Sequence, residues 1–214
     1  MNIIWLTVGA LGTNCYIIPT AQKNAVVIDP GANAKEIAEV LKKEDLNPVW
    51  TLLTHGHHDH TGGVRALKSI FPEMKTAIGE LDAEMLNDVK KALPFTHLPD
   101  EEMFREDLQL KDGDTLQIDE LTWKVIHTPG HTKGGVCLLC EDVMFAGDTL
   151  FAGEIGRCDL YGGDYQVMRR TLRKLAALPG EYHVYSGHGD DTTLDKERRT
   201  NYYMRSAMAD ANLD

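Results

Sequence analysis

The sequence has few of the features expected of a membrane, secreted or nucleic-acid-binding protein. Among its 214 residues, no apolar run approaches the roughly 20 residues that span a bilayer. Its first residues, MNIIWLTVGALG, lack both the basic segment and the long apolar segment of a secretory signal, so we expect a cytoplasmic protein. The 22 basic residues are outnumbered by 33 acidic ones, which gives a net charge of −11. This charge argues against binding to nucleic acid or anionic lipid, because both require basic surface.

Cysteine is also scarce, and its four positions do not suggest a disulfide framework: Cys15, Cys137, Cys140 and Cys158. Cys137 and Cys140 have the spacing of a redox motif, but they fall in a predicted strand. Residues three apart in a strand point to opposite sides, so we expect both cysteines to be buried and structural. We interpret Cys158 as a spectator in preference to a redox-sensitive thiol.

Strand-like runs dominate both halves of the sequence, with helix-like segments between them. Apolar residues at helical spacing predict helices over 34–46, 62–71, 80–93, 165–178 and 194–211. The segment 93–104 contains several turn formers and predicts an exposed loop. Runs of consecutive strands favour an α/β (α+β) domain with helices on the outer faces of its sheets, over a doubly wound parallel sheet. We expect residues 1–214 to form one domain.

Four of the nine histidines lie within six positions in the segment THGHHDHTGG. Because alternate residues of an extended chain share a side, His55, His57 and Asp59 would converge if the segment stays extended. His60 would join them after a turn, and His58 would point away. A histidine-rich surface turn is the alternative, but four imidazoles and a carboxylate in so short a segment argue against it.

Three further segments place His or Asp beside glycine directly after a predicted strand: HTPGHTKGG, FAGDTLFAG and YSGHGDD. They contribute His131, Asp148 and His188. Imidazole and carboxylate groups bind zinc, iron and manganese. Seven such donors can hold two metals if one carboxylate bridges them. Because none is a thiol, an open catalytic site is favoured over a closed structural zinc site.

The motifs THxHxDH, PGHT, GDT and SGHG occur in this order and resemble those of the metallo-β-lactamase superfamily, especially its glyoxalase II-type hydrolases. The resemblance implies an αββα four-layer sandwich with two divalent metals at one edge. Zinc is the expected metal, with iron or manganese as alternatives. By motif position, the resemblance implies a first metal held by His55, His57 and His131, and a second held by Asp59, His60 and His188. It also implies that Asp148 bridges the two metals and that His58 occupies a variable position.

The resemblance further implies hydrolysis of a small thioester such as S-lactoylglutathione. A hydroxide bridging the metals would attack the carbonyl, with Asp59 and Asp148 as the catalytic carboxylates. The expected partner is therefore a small-molecule thioester substrate, with no nucleic acid or membrane partner. One alternative is a hydrolase of another ester or thioester, and another is a persulfide dioxygenase with a single iron. A non-catalytic metal-binding module is disfavoured because all seven donors are present.

The sequence departs from the glyoxalase II pattern after the last histidine. Asp190 replaces the tyrosine of the family's GHxY motif, and the sequence ends soon after His188, so we expect the family's helical C-terminal domain to be absent. Arg157 is retained in the segment GRCDLYGGD. It is predicted to bind a substrate carboxylate or, alternatively, to form an internal salt bridge with Asp159 or Asp164.

Overall fold

The computed structural model describes residues 1–92 and 104–210. Their strands form two six-stranded sheets, and within each sheet the strand order follows the chain. The first sheet contains β1 (Ile4–Val8), β2 (Thr13–Pro19), β3 (Asn24–Ile28), β4 (Asn47–Leu52), β5 (Lys75–Gly79) and β6 (Leu108–Leu110). The second contains β7 (Thr115–Ile118), β8 (Leu121–His127), β9 (Val136–Cys140), β10 (Val143–Gly147), β11 (His183–Ser186) and β12 (Thr192–Thr193).

Helices cover the outer face of each sheet, which confirms the predicted αββα sandwich. The helices are α1 (Ala34–Lys43), α2 (His58–Thr61), α3 (Val64–Ile70), α4 (Val89–Ala92), α5 (Tyr165–Ala176), α6 (Leu194–Thr200) and α7 (Tyr202–Ala209). Buried side chains of α1 and α3 pack on the first sheet, and those of α5, α6 and α7 pack on the second. None of the described helices combines the length and apolar character needed to cross a bilayer.

Successive side chains of a strand point to opposite faces of its sheet. One face packs in the core between the two sheets, and the other packs in a core beneath the helices. Trp123 and Phe145 lie between the sheets, where they pack with Cys140. Cys137 faces the other way and packs beneath α5. As predicted, both cysteines are buried on opposite sides of one strand, and burial raises the pKa of each thiol to about 11.

Two predicted helices are interrupted in the structure. The segment 80–93 forms a 3₁₀ helix at Ala83–Asn87 followed by the short α4, with Asp88 extended between them. The closing segment divides into α6 and α7 at Asn201, whose side chain accepts hydrogen bonds from two backbone N–H groups of α7. This capping bond competes with a continuous helix. The predicted loop 93–104 lies outside the described residues except for Phe104.

The sheet topology brings several loops to one edge of the sandwich. Strands β3 and β4 are parallel, and so are β10 and β11, so the carboxyl ends within each pair lie together. Across the sandwich, Thr13 at the start of β2 forms a β-bridge with His188, which follows β11. Loops from the two sheets therefore meet at this edge.

Candidate metal centre

Six of the seven predicted ligand side chains form two adjoining clusters. The three-histidine cluster consists of His55, His57 and His131. The mixed cluster consists of Asp59, His60 and His188. In each cluster, one donor atom from every member lies within 4.8 Å of the others.

The local path of the chain explains how one short segment supplies both clusters. His55 and His57 lie in the loop after β4, and the chain enters the single turn of α2 at His58. The segment therefore does not stay extended, and the condition for Asp59 to converge with His55 and His57 is not met. The helical turn instead places Asp59 against His188, with 3.2 Å between Asp59 Oδ2 and His188 Nε2. Among the clusters formed by residues 1–92 and 104–210, none includes His58.

The three-histidine cluster is buried, and its hydrogen bonds fix the position of ring protons. His131 Nδ1 donates to the Arg157 carbonyl at 2.7 Å, so His131 Nε2 presents its lone pair to His57 Nδ1, 2.9 Å away. Burial lowers the pKa of His55 well below its ordinary range and that of His57 to about 3. Both rings are therefore neutral at neutral pH, which is the form that binds metals.

The mixed cluster is more open and contains a carboxylate. His60 Nε2 lies 3.6 Å from Asp59 Oδ2 and 3.4 Å from His188 Nε2. Burial raises the pKa of Asp59, but the hydrogen bond from His188 and the neighbouring imidazoles outweigh it and hold the pKa far below its ordinary range. Burial lowers the pKa of His60, but Asp148 and Asp29 outweigh it and raise the pKa. The cluster thus combines an ionised carboxylate with two imidazoles, and this donor set suits a divalent cation, which would displace the proton that the raised pKa favours on His60.

Asp148 lies between the clusters at the end of β10. Its Oδ1 is 3.3 Å from His60 Nε2, and its Oδ2 is 3.5 Å from His131 Nε2. The preceding Gly147 has a φ of 49°, and a Cβ there would lie only 2.3 Å from Thr54 Oγ1. Glycine at this position therefore allows the two sheets to approach closely enough for Asp148 to reach both clusters.

Asp29 is a buried carboxylate at the site that the sequence analysis missed. It accepts hydrogen bonds from Thr54 N at 2.8 Å, Thr54 Oγ1 at 2.6 Å and His60 Nδ1 at 2.9 Å. Because His60 Nδ1 donates to Asp29, His60 Nε2 is left for the mixed cluster. Since Thr54 Oγ1 donates to Asp29, it accepts from His55 Nδ1 at 3.1 Å, which leaves His55 Nε2 for the three-histidine cluster. The available signal was its position directly after a predicted strand and before Pro-Gly.

Two other residues that the sequence singled out, Arg157 and Cys158, form contacts within the protein. Arg157 Nε and Nη2 donate to the two carboxylate oxygens of Asp159 at 2.7 and 2.8 Å, so the predicted internal salt bridge is present. The Arg157 side chain is nevertheless 55% exposed. Cys158 is half-buried, and its thiol donates to a backbone carbonyl of its own loop.

Unpartnered buried atoms show that the donors fit a cation. Within the described part of the chain, His55 Nε2 and Asp148 Oδ1 have no hydrogen-bond partner. Leaving such groups buried and unpaired is costly, and a cation between the clusters would satisfy both.

The family model for the metallo-beta-lactamase superfamily matches residues 8–188. The chain belongs to this superfamily.

Individual superfamily members are similar over nearly the whole chain. Hydroxyacylglutathione hydrolase GloC of Haemophilus influenzae is 35% identical over 210 residues, which cover 96% of this chain and 99% of that protein. The crystal structure of BLEG-1 B3 metallo-beta-lactamase has a TM-score of 0.86 and 33% identity, covering 95% of this chain and 99% of that one. The di-iron-bound form of TTHA1623 has a TM-score of 0.82 and 31% identity, covering 94% and 99% of the two chains. The predicted superfamily membership and fold are confirmed.

Proposed function

We propose that the protein is a dinuclear metallohydrolase that cleaves a small thioester, with S-lactoylglutathione as the type substrate. The observation that carries this proposal is the pair of adjoining clusters with Asp148 between them. The similarity to a protein named hydroxyacylglutathione hydrolase supports the thioester as the substrate class.

In this proposal the donors divide between two metal ions. The first ion would be held by His55, His57 and His131, the second by Asp59, His60 and His188, and Asp148 would serve both. Zinc is the proposed metal because imidazole and carboxylate ligands suit it, and iron or manganese would suit the same donors. When bound, two such ions lower the pKa of a shared water and polarise the carbonyl that the water attacks.

The protein side chains would orient the reacting groups. Asp59 is the more exposed of the two proposed catalytic carboxylates, with 22% of its side chain accessible against 12% for Asp148. A water molecule at the open side can therefore donate a hydrogen bond to Asp59. The Thr13 hydroxyl donates to Asp59 Oδ2 at 3.3 Å and helps to fix its orientation. On the opposite side, the imidazoles of the three-histidine cluster are buried.

We propose that Arg157 contacts a carboxylate of the substrate. Its present partner is the exposed Asp159, and exposed ion pairs of this kind contribute little to stability because water and salt screen them. A substrate carboxylate can therefore replace Asp159 at little cost. The planar guanidinium would bind the new carboxylate through the same two donors.

Metal analysis combined with a substrate panel tests the proposed function. We expect about two ions per chain and cleavage of S-lactoylglutathione without oxygen. One iron per chain, with oxygen consumed on glutathione persulfide, would overturn the proposal in favour of the dioxygenase. A β-lactam belongs in the panel because BLEG-1 is named as a B3 metallo-beta-lactamase. Cleavage of the β-lactam without thioester cleavage would equally overturn the proposal.

A further inference from the structure

A second missed carboxylate, Asp82, lies in the turn that follows β5 and touches no member of either cluster. Its side chain is fully buried. Within residues 1–92 and 104–210, no cationic side chain forms an ion pair with it. A buried carboxylate without a countercharge is costly, so its hydrogen bonds must compensate.

Those hydrogen bonds join two loops. Asp82 Oδ2 accepts from Gly56 N at 3.0 Å, and Gly56 lies between His55 and His57. The same oxygen accepts from the Thr132 hydroxyl at 2.6 Å, beside His131. Asp82 Oδ1 accepts from Gly134 N, also at 2.6 Å. One carboxylate therefore binds both loops that carry the three-histidine cluster, although these loops come from different sheets.

The packing around this carboxylate is too close to allow much adjustment. A Cβ at Gly134 would lie 2.3 Å from Asp82 N, and a Cβ at Gly56 would lie 2.6 Å from Met85 Cβ in the adjoining 3₁₀ helix. The two loops thus rest directly on the Asp82 turn. A change at Asp82 would therefore alter the distance between them.

The mixed cluster is fixed by different residues. The Asn14 side chain donates to the carbonyls of Ser186 and Gly189 at 3.1 and 2.9 Å, on either side of His188 in the chain. The Tyr16 hydroxyl also donates to the Ser186 carbonyl at 2.6 Å. None of the hydrogen bonds that Asp82 accepts reaches this loop or α2.

We infer that Asp82 is a positioning residue that sets the spacing between the His55–His57 loop and the His131 loop. It thereby controls how tightly the three-histidine cluster binds a metal ion. The inference rests on the proposed function, in which that cluster holds one of the two ions. Loss of a partner that orients metal ligands typically weakens metal binding by about 10- to 100-fold.

Two variants, each lacking a donor of one cluster, show whether a change at Asp82 affects the three-histidine cluster alone or loosens the whole site. His188→Ala removes a donor of the mixed cluster, so the tightest remaining Zn²⁺ reports on the three-histidine cluster. His131→Ala does the converse. Zn²⁺ affinity is measured by chelator competition in each background, with and without Asp82→Ala. We expect an affinity loss of about 10- to 100-fold in the His188→Ala background and none in the His131→Ala background.

A milder variant covers the case in which Asp82→Ala does not fold. Thr132→Val preserves volume and removes one of the three hydrogen bonds, so it should give a smaller loss in the same background only. Thr51→Val is the matched control, because Thr51 is equally buried but its hydroxyl contacts Met74 instead. Thr51→Val should leave both affinities unchanged.

The other possible results would overturn either the positioning role of Asp82 or the proposed function. Equal losses in both backgrounds would show general loosening and overturn the positioning role, as would an unchanged affinity in the His188→Ala background. If the unmodified protein bound no metal, both the proposed function and this inference would fail. Metal binding that is insensitive to Asp82 and Thr132 would overturn the inference alone.

Discussion

Asp29→Asn exchanges one carboxylate oxygen for an amide nitrogen at the group that sets the protonation of two candidate ligands. In the protein, one Asp29 oxygen accepts from Thr54 N and the other accepts from both Thr54 Oγ1 and His60 Nδ1. The asparagine oxygen would remain on Thr54 N, because the reverse orientation would place two donors against each other. Its NH₂ group would then face the Thr54 hydroxyl and His60.

The consequence is that ring protons move on both sides of the centre. The new NH₂ donates to His60 Nδ1, so the neutral form of the ring, which is the form that binds metal, carries its proton on Nε2, where the mixed cluster needs a lone pair. The NH₂ also donates to Thr54 Oγ1, whose own hydrogen can then turn toward His55 Nδ1, 3.1 Å away. His55 Nε2 would become protonated in the same way. We expect metal affinity to fall by about 10- to 100-fold at each cluster, which is typical for loss of a ligand's orienting partner.

Stability should change much less than metal affinity. The amide still pairs with every polar partner of Asp29, so the metal-free protein should lose no more than about 1 kcal/mol of unfolding free energy. Asp29→Ala leaves two Thr54 donors buried without that partner, which costs about 1–3 kcal/mol for each unsatisfied group. Comparing the two variants therefore separates tautomer control from packing.

The assay combines ¹⁵N–¹H NMR of the histidine tautomers with Zn²⁺ titration and urea unfolding of the metal-free protein. Asp119→Asn is the matched control, because Asp119 also has a positive φ and accepts two side-chain hydrogen bonds far from the clusters. It should leave the tautomers and the Zn²⁺ affinity unchanged. The reasoning is refuted if Asp29→Asn keeps the proton on His60 Nδ1, or if it binds Zn²⁺ as tightly as the unmodified protein.

Three further predictions follow from the site. Asp148→Ala should reduce turnover by at least about 10- to 100-fold, the loss typical for a residue that only orients metal ligands, and should release at least one ion per chain, measured by steady-state kinetics and elemental analysis, because both clusters share this carboxylate. His55 and His57 should each lower the stability of the metal-free protein as the pH falls from about 6.5 to 5, because the unfolded chain protonates them while the folded protein keeps them neutral; the raised pKa values of His60 and His188 act in the opposite direction. With the pKa of His57 at about 3, this residue alone lowers the stability at pH 5 by about 2 kcal/mol, and the difference in pH dependence between the unmodified protein and His57→Ala in urea unfolding should show that contribution. Arg157→Ala should raise KM for an anionic thioester while leaving kcat and the urea midpoint unchanged, because its ion pair with Asp159 is exposed; an unchanged KM would exclude substrate contact.

The sequence was informative where a potential metal ligand directly follows a predicted strand. His55, His131, Asp148 and His188 each follow a predicted strand, and the structure brings them to one edge. Alternation of side chains along a strand also predicted that Cys137 and Cys140 face different cores. These features are readable because strand periodicity and residue type are local properties.

Features that depend on distant residues were not readable. The role of Asp29 depends on Thr54 and His60, which approach it only when β3 pairs with β4. The role of Asp82 likewise depends on loops from both sheets. The short helix that turns Asp59 away from His55 was missed for a different reason, because a single turn is too short to show helical periodicity.

Each cluster draws its members from both halves of the sandwich, and this has a consequence for how the protein acquires its metals. His55 and His57 belong to the first sheet and His131 to the second, while His60 and His188 are divided in the same way. A full donor set therefore exists only after the two sheets have docked, so metal ions select the assembled chain over any partly folded form. Each ion at about 1,000 times its Kd would add about 4 kcal/mol to the stability of the whole sandwich. In this arrangement, the binding of metal ions and the docking of the two sheets are thermodynamically coupled, so each stabilises the other.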